Sequence, residues 1–394
     1  MTHPVLRFRD DDRSEFPEWK TCRLGDVCET ISGGTPSTAN PDYWDGEINW
    51  LTPTEINSKY VHPSKRKISE DGYKNSSVKE VPQGAIILTT RASIGLCCLQ
   101  NTADRYTTNQ GFQSVNFDST KVYNEYGYYC ICSPTFQCCM MKLSSGSTFL
   151  EISPKNLKGI AFHFPSLPEQ KKIADFLSSI DEKISSFGTK LDLLKQYKKS
   201  VMQEILNQKI RFKADDGSDF PEWKQQKLSE VFRITRGQVL AVDNLRERKD
   251  EIYCYPVFSS QTKNNGLMGY YKSFLYEDAI TWTTDGANAG DTNYRKGRFF
   301  CTNVCGVLIN NKGYANECIA YIINSVSKKY VSYVGNPKLM NNIMGNITIH
   351  FPSLPEQKKI ADFLSSIDEK ISLTHKQLLA MEEYKKGLMQ QLFV

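Results

Sequence analysis

No stretch of this 394-residue chain approaches 18 uninterrupted apolar residues, which argues against a membrane span. Its first residues, Met1-Thr2-His3-Pro4-Val5-Leu6-Arg7, lack the apolar core of a signal peptide, so a cytoplasmic location is expected. None of the 12 cysteines forms C-x-x-C, and no cysteine pair stands beside a matching histidine pair, which argues against a structural metal. Cys97-Cys98, Cys130/Cys132 and Cys138-Cys139 read instead as core filling in a reducing compartment. There is no G-x-x-x-x-G-K-S/T loop and hence no ATPase signature. Five scattered histidines support neither a triad nor a zinc site. Asn40-Pro41-Asp42-Tyr43 lacks the second proline of the N-P-P-Y motif of amino-methyltransferases, and no glycine-rich cofactor loop precedes it. Glu18-Trp19-Lys20 and Glu222-Trp223-Lys224 supply the E-x-K fragment found in nucleases, but both belong to the repeated frame and neither has an obvious metal-binding aspartate at the usual distance upstream. No catalytic residue, metal or cofactor is therefore expected, and the chain reads as a binder. Its net charge of +5 permits an acidic partner such as DNA without demanding one.

What the chain does have is repetition. His163 to Ser185 reads HFPSLPEQKKIADFLSSIDEKIS, and the same 23 letters return at His350 to Ser372, 187 positions later. A second repeat has a different offset: Arg7-Phe8 through Phe16-Pro17-Glu18-Trp19-Lys20 is echoed 204 positions on by Arg211-Phe212 through Phe220-Pro221-Glu222-Trp223-Lys224. Residues 21–162 and 225–349 occupy equivalent places but share little sequence. The layout is two variable modules in one duplicated frame. The expected order is an N-terminal arm and first module (1–163), a first spacer helix (164–210), a second module (211–350) and a second spacer helix (351–394).

The frame segments carry the periodicity of long helices. Ser166-Leu167-Pro168-Glu169 has the form of a capping box with proline in the first turn. Apolar residues follow in alternating steps of four and three, at Ile173, Leu177, Ile180, Ile184, Phe187, Leu191 and Leu194. The second copy offers Ile360, Leu364, Ile367, Ile371, Leu378 and Met381. Each helix would run about 40 residues, or roughly 60 Å. Sustained four-three spacing favours a narrow seam, so the two helices are expected to pack antiparallel on each other. The other reading is two amphipathic helices, each lying on its own domain. Lys198 and Lys385 interrupt the seam at the same position, with Tyr197 and Tyr384 placed to cover the gap. An antiparallel pair would give the chain an approximate two-fold axis and make it a circularly permuted duplication, opened near Val394/Met1.

Both modules read as mixed α/β. Ala85–Thr90, Ala279–Thr284, Gly159–Phe162 and Asn346–Ile349 are strand candidates. Polar side chains that suit base edges and phosphates lie near them. The first module offers Lys65, Arg66, Lys67, Thr90, Arg91, Asn109 and Gln110. The second offers Arg236, Gln238, Gln261, Lys263, Asn264, Asn288, Asn293, Arg295, Lys296 and Arg298. Asn288 to Arg298 is expected to be a loop following the Thr281–Thr284 strand. Arginine pairs bidentately with guanine, and Asn or Gln with adenine, whereas lysines and hydroxyls mostly hold phosphates. Taken singly, each such residue is more often solvated or structural; the architecture gives weight to the set.

The repeated F-P-x-L-x-E-Q-K-K-I-A-x-x-L-x-x-x-D resembles the conserved regions of type I restriction-modification specificity subunits. So do Gly33-Gly34-Thr35-Pro36-Ser37, Asn40-Pro41-x-Tyr43-Trp44, Ile48-Asn49-Trp50-Leu51-Thr52-Pro53, Thr108-Asn109-Gln110-Gly111-Phe112 and Ser145-Gly146-Ser147-Thr148. Tyr255–Gln261 and Trp282–Gly286 look like a target domain of a second subtype. The resemblance covers essentially the whole chain. It implies two α/β target-recognition domains joined by two long antiparallel coiled-coil helices. It implies that each domain reads one half of a bipartite site in double-stranded DNA. The helices would dock two modification (methyltransferase) subunits, with restriction subunits joining that core; methyl donor and nucleotide would belong to those partners. The competing reading is a non-catalytic coiled-coil assembly adaptor whose modules bind proteins.

Overall fold

The computed structural model describes residues 4–146, 150–261 and 263–393, apart from the side chains of Lys263 and Asn264. Ser147 and Thr148 of the motif above, and the termini Met1 and Val394, lie outside the described residues. The chain forms two compact units, Met1–Thr189 with His375–Val394, and Lys190–Thr374. Each unit holds one module, the first half of the helix that follows it and the last half of the other long helix. No helix among the described residues is long and apolar enough to cross a membrane.

In the first unit, Lys20–Arg23 pairs antiparallel with Ala161–Phe164, which leads into the frame helix Leu167–Leu206. A four-stranded antiparallel sheet runs in the order Cys28–Ser32, Phe112–Phe117, Ile86–Thr89, Cys97–Leu99. A second sheet has the order Arg66–Ile68, Trp44–Leu51, Tyr106–Thr108, the last pair being parallel. Ile86–Thr89 is the expected strand, and all four residues are buried. Its two-residue period explains why: Ile86 and Leu88 join the cluster that contains the frame helix, and Ile87 joins a separate one with Leu51 and Tyr106. Gly33 has to be glycine, since a Cβ there would lie 1.9 Å from the Asn109 carbonyl oxygen.

In the second unit, Lys224–Lys227 pairs with Thr348–Phe351, which leads into the frame helix Leu354–Leu392. A six-stranded sheet runs in the order Arg233–Arg236, Cys305–Ile309, Tyr276–Thr283, Thr292–Cys301, Tyr255–Phe258, Leu267–Tyr271. Helix Glu317–Ser327, capped by the Asn316 side chain on the Ile319 amide, covers one face. Ile280 and Trp282 point into that covered cluster, while Ala279 belongs to the opposite face. The expected loop Asn288–Arg298 is a correction. Thr292–Cys301 is a ten-residue strand, registered Thr281↔Asn293 and Ala279↔Arg295. The β-prone Thr292, Tyr294, Phe299 and Phe300 carry it, and an irregularity at Asp278 absorbs the register shift.

The helices pack antiparallel, the start of each lying beside the end of the other. In the first unit Ile173, Leu177 and Ile180 share a cluster with Leu388, Met389 and Leu392. They share it equally with Tyr126, Leu157 and Phe162 of the module. In the second unit Ile360, Leu364 and Ile367 meet Val201 and Ile205, together with Trp223, Ile319 and Ile322. Both sequence readings thus hold in part: the stripe is wide enough to serve the other helix and its own domain. Leu191 is buried; Ile184, Ile371 and Leu378 are half-buried.

Two local expectations fail for the same electrostatic reason. The capping box is not formed: the Ser166 hydroxyl is buried without a partner, and Glu169 is fully buried and turned inward. Glu169 accepts both Nε (3.2 Å) and a terminal nitrogen (2.9 Å) of Arg7, and Trp19 Nε1 at 3.4 Å. Glu356 repeats this with Arg211 and Trp223, at 3.2, 3.0 and 3.0 Å. A two-point arginine–carboxylate pair outbids a single neutral cap. Nor do Tyr197 and Tyr384 cover the lysine gaps; both are 53% exposed. Lys385 instead reaches Asp181 on the other helix at 2.5 Å, and Tyr129 donates to that carboxylate at 2.6 Å. In the second unit Lys198 pairs with Asp368 at 2.6 Å, and Tyr321 donates to the same group. Burial, reinforced by the aspartate, pushes both tyrosine hydroxyls well above their ordinary range.

Candidate nucleic-acid interface

In the first module the three-stranded sheet gathers most of the candidates. Arg66 and Lys67 lie on its edge strand, opposite Trp50 and Asn49. The Arg66 guanidinium stacks 3.7 Å above the Trp44 ring, which holds a mobile side chain in one plane. Lys67 lies 3.8 Å from Glu47, and exposed Lys65 is anchored through its backbone amide to Glu55 at 2.7 Å. The far strand, Tyr106–Thr108, runs directly into Asn109-Gln110. Backbone bonds tie this step to two neighbours: Gly34 N to Thr108 O at 2.8 Å, and Thr90 N to Gly111 O at 2.8 Å. The Gly33–Ser37 loop, Gln110 and Arg91 are thereby held together, and the Thr35 hydroxyl donates to Gln110. Arg91 is exposed and 3.6 Å from Glu151, a weak surface pair. Two candidates use their polar atoms inside the fold. Thr90 is 3% exposed, with its hydroxyl on the Gly111 carbonyl, and Asn109 accepts the Gly111 amide at 2.9 Å.

The second module divides its candidates among three places. Arg236 is held by Thr284 at 2.9 Å and Asp285 at 3.0 Å, a structural link between strand and turn. Gln238 is exposed beside Thr302. Lys296 and Arg298 lie on the long strand where its pairing with Tyr276–Thr283 is irregular; Arg298 sits over Phe274 and 3.3 Å from Glu277. The third place is a polar cavity of about 210 Å³, whose lining includes Gln261, Asn288, Asn293 and Arg295. Asn288 is fixed by donating to the Ser260 carbonyl at 3.1 Å. Lys263 and Asn264 fall on side chains outside the described ones.

Sequence reasoning missed two residues that hold Arg295 and one that lines the cavity. Phe258 is the platform under the Arg295 guanidinium at 3.8 Å, and the Thr281 hydroxyl accepts its Nε at 3.0 Å. Asn324 enters from helix Glu317–Ser327, far along the chain, with no local signal to mark it. Among the described residues no group of three or more His, Cys, Asp or Glu side chains could hold a metal.

Comparison with known proteins gives a consistent answer. The family described as the type I restriction modification DNA specificity domain matches residues 17–196 and again 221–383. The MjaIX type I restriction enzyme specificity subunit of Methanocaldococcus jannaschii is 26% identical across 98% of this chain and 95% of its own. The EcoprrI specificity subunit of Escherichia coli is 24% identical over 88% of this chain and 86% of its own. The crystal structure of a type I S subunit from M. genitalium is similar in fold, with a TM-score of 0.64 at 18% identity, covering 100% of this chain and 99% of that one. A chain from a structural study of assembly and conformational transition in the type I system gives a TM-score of 0.60 at 16% identity, covering 96% and 98%.

Proposed function

The chain belongs to the type I restriction-modification DNA specificity family, and from that premise we propose that each module reads one half of a bipartite DNA site. As a specificity subunit it is non-catalytic and confers DNA sequence specificity; the protein-binding adaptor reading is not favoured. The observation that carries the bipartite reading is a duplicated frame around two unlike modules, with the family match falling once on each.

The division of labour follows from the side chains. Lys65, Lys67 and Lys296 hold phosphates, a sequence-blind contribution that sets orientation and salt dependence. Arg66, Arg91 and Gln110 in the first module, and Gln261, Asn288, Asn293 and Arg295 in the second, present the groups that read base edges. The intervening helices fix the distance between half-sites and dock two methyltransferase subunits, to which the restriction subunits attach. The chain works in the cytoplasm, where its unpaired cysteines stay reduced. Methylome sequencing of cells carrying the system tests this directly. A single methylated motif with two specific halves and a fixed spacer is expected; a continuous motif, or none, refutes it.

A further inference from the structure

Arg295 is an unusual arginine. It is 9% exposed, lies flat on Phe258, and has its Nε fixed by Thr281. Its terminal NH groups make no hydrogen bond or ion pair to any described residue, although they border the 210 Å³ cavity. Burial lowers its pKa to about 10, so it stays charged at neutral pH. Its terminal NH groups open onto the cavity as charged donors that an acceptor from outside the chain can use.

The cavity's chemistry says which kind. Among its described lining residues Arg295 is the one cation, and Asp291 is a carboxylate already paired with Lys328 at 2.9 Å. The rest of the wall includes amides: Gln261 and Asn288, whose nitrogens already donate to the Leu267 and Ser260 carbonyls, Asn324, whose oxygen accepts the Thr292 amide, and Asn293. A phosphate seat would be all donors, without a carboxylate. A fork plus amides is the vocabulary for a base edge, and O6 and N7 of guanine match a guanidinium bidentately. Resting on the DNA-reading function above, we propose that this cavity receives the major-groove edge of one guanine in the second module's half-site, with Arg295 pairing to its O6 and N7.

The test uses the full chain assembled with its methyltransferase subunits and duplexes carrying the motif from methylome sequencing. The second module's half is the one that persists when residues 21–162 are exchanged for another target domain. Each guanine of that half is replaced in turn by 7-deazaguanine, which removes N7 and keeps Watson–Crick pairing. We expect one position at which affinity falls about 5–150-fold. Arg295→Ala should lose a similar factor on the natural duplex and then be indifferent to the replacement. Arg295→Lys should not rescue, because an ammonium lacks the fork. The base scan uses the unaltered protein, so a variant that fails to fold leaves the test intact. A half-site without guanine, or with no sensitive guanine, overturns the proposal. So does an Arg295→Ala that weakens cognate and scrambled duplexes alike and flattens the salt slope, which marks a phosphate contact. Failure of the underlying function looks different: the unaltered complex would not distinguish cognate from scrambled duplexes at all.

Discussion

Removing Arg7 should unfold the first unit far more readily than removing Arg7 and Glu169 together. Glu169 is wholly inside, and its carboxylate is balanced by Arg7, whose side chain is 24% exposed. Arg7 also donates to the Phe16 and Pro17 carbonyls, at 3.1 and 2.8 Å, so it fastens the N-terminal arm to the helix start. In Arg7→Ala the carboxylate keeps only the Trp19 donor at 3.4 Å. Stranding a buried charge in this way costs about 3–5 kcal/mol, against a total of about 5–15 kcal/mol for a domain. Arg7→Met with Glu169→Met removes both charges and keeps apolar volume, so most of that loss should return. Urea unfolding followed by tryptophan fluorescence on the single and double variants measures the difference. Equal losses in the two would refute the argument, since the penalty would then come from lost packing and not from a stranded charge. A loss below about 1 kcal/mol for Arg7→Ala would refute the burial on which it rests. Arg211 and Glu356 should behave identically in the second unit, where the same three bonds recur.

Lys385→Ala, which leaves Asp181 with Tyr129 alone, should lower first-unit stability by about 1–3 kcal/mol in the same urea assay; no change would make the cross-helix pair ornamental. Lys65→Ala should weaken cognate and scrambled duplexes equally and flatten the salt dependence of binding by about one contact, whereas Arg91→Ala should relax specificity at one base pair by about 1–3 kcal/mol. If neither variant alters affinity, specificity or salt slope in the assembled complex, the first module's reading face lies elsewhere. For Arg295, whose pKa burial lowers to about 10 in the folded chain, the fold resists the charged form. That penalty is full below about pH 10 and is relieved as pH rises through it. Arg295→Met should therefore keep or raise the thermal midpoint at pH 7–8 while impairing recognition, and the gap should narrow above about pH 10. A marked drop in midpoint at pH 7–8 would mean that the guanidinium is structural.

The frame was legible because its signals are local and written twice. Four-three spacing from Ile173 to Leu191 marks a helix, and the copy from Ile360 onward marks a partner. What that spacing cannot say is how much of a stripe faces a helix and how much a domain, and both Leu177 and Ile180 serve both. Ser166 and Glu169 misled for a related reason. Their spacing is that of a cap, yet the carboxylate is claimed by an arginine 162 residues away. The clue was present in the paired recurrence of Arg7 with Glu169 and Arg211 with Glu356, but only tertiary structure joins the pairs. Lys198 and Lys385 looked like seam defects, and their carboxylate partners on the opposite helix were equally invisible to a one-dimensional pattern. In the modules, four short β-prone runs marked four strands, with ends off by no more than three residues. The strand Thr292–Cys301 was hidden by its own polar residues, Asn293, Arg295, Lys296 and Arg298, which resemble a loop in composition. The cavity that Asn293 and Arg295 help to line depends on two separate loops of the sheet and a distant helix, which no local spacing encodes.

Exchanging residues 21–162 for the corresponding segment of another family member, followed by methylome sequencing, tests the central claim most directly. One half of the methylated motif should change while the other half and the spacer stay as they were, because the frame helices and the second module are untouched. A motif altered in both halves, or in neither, would contradict it.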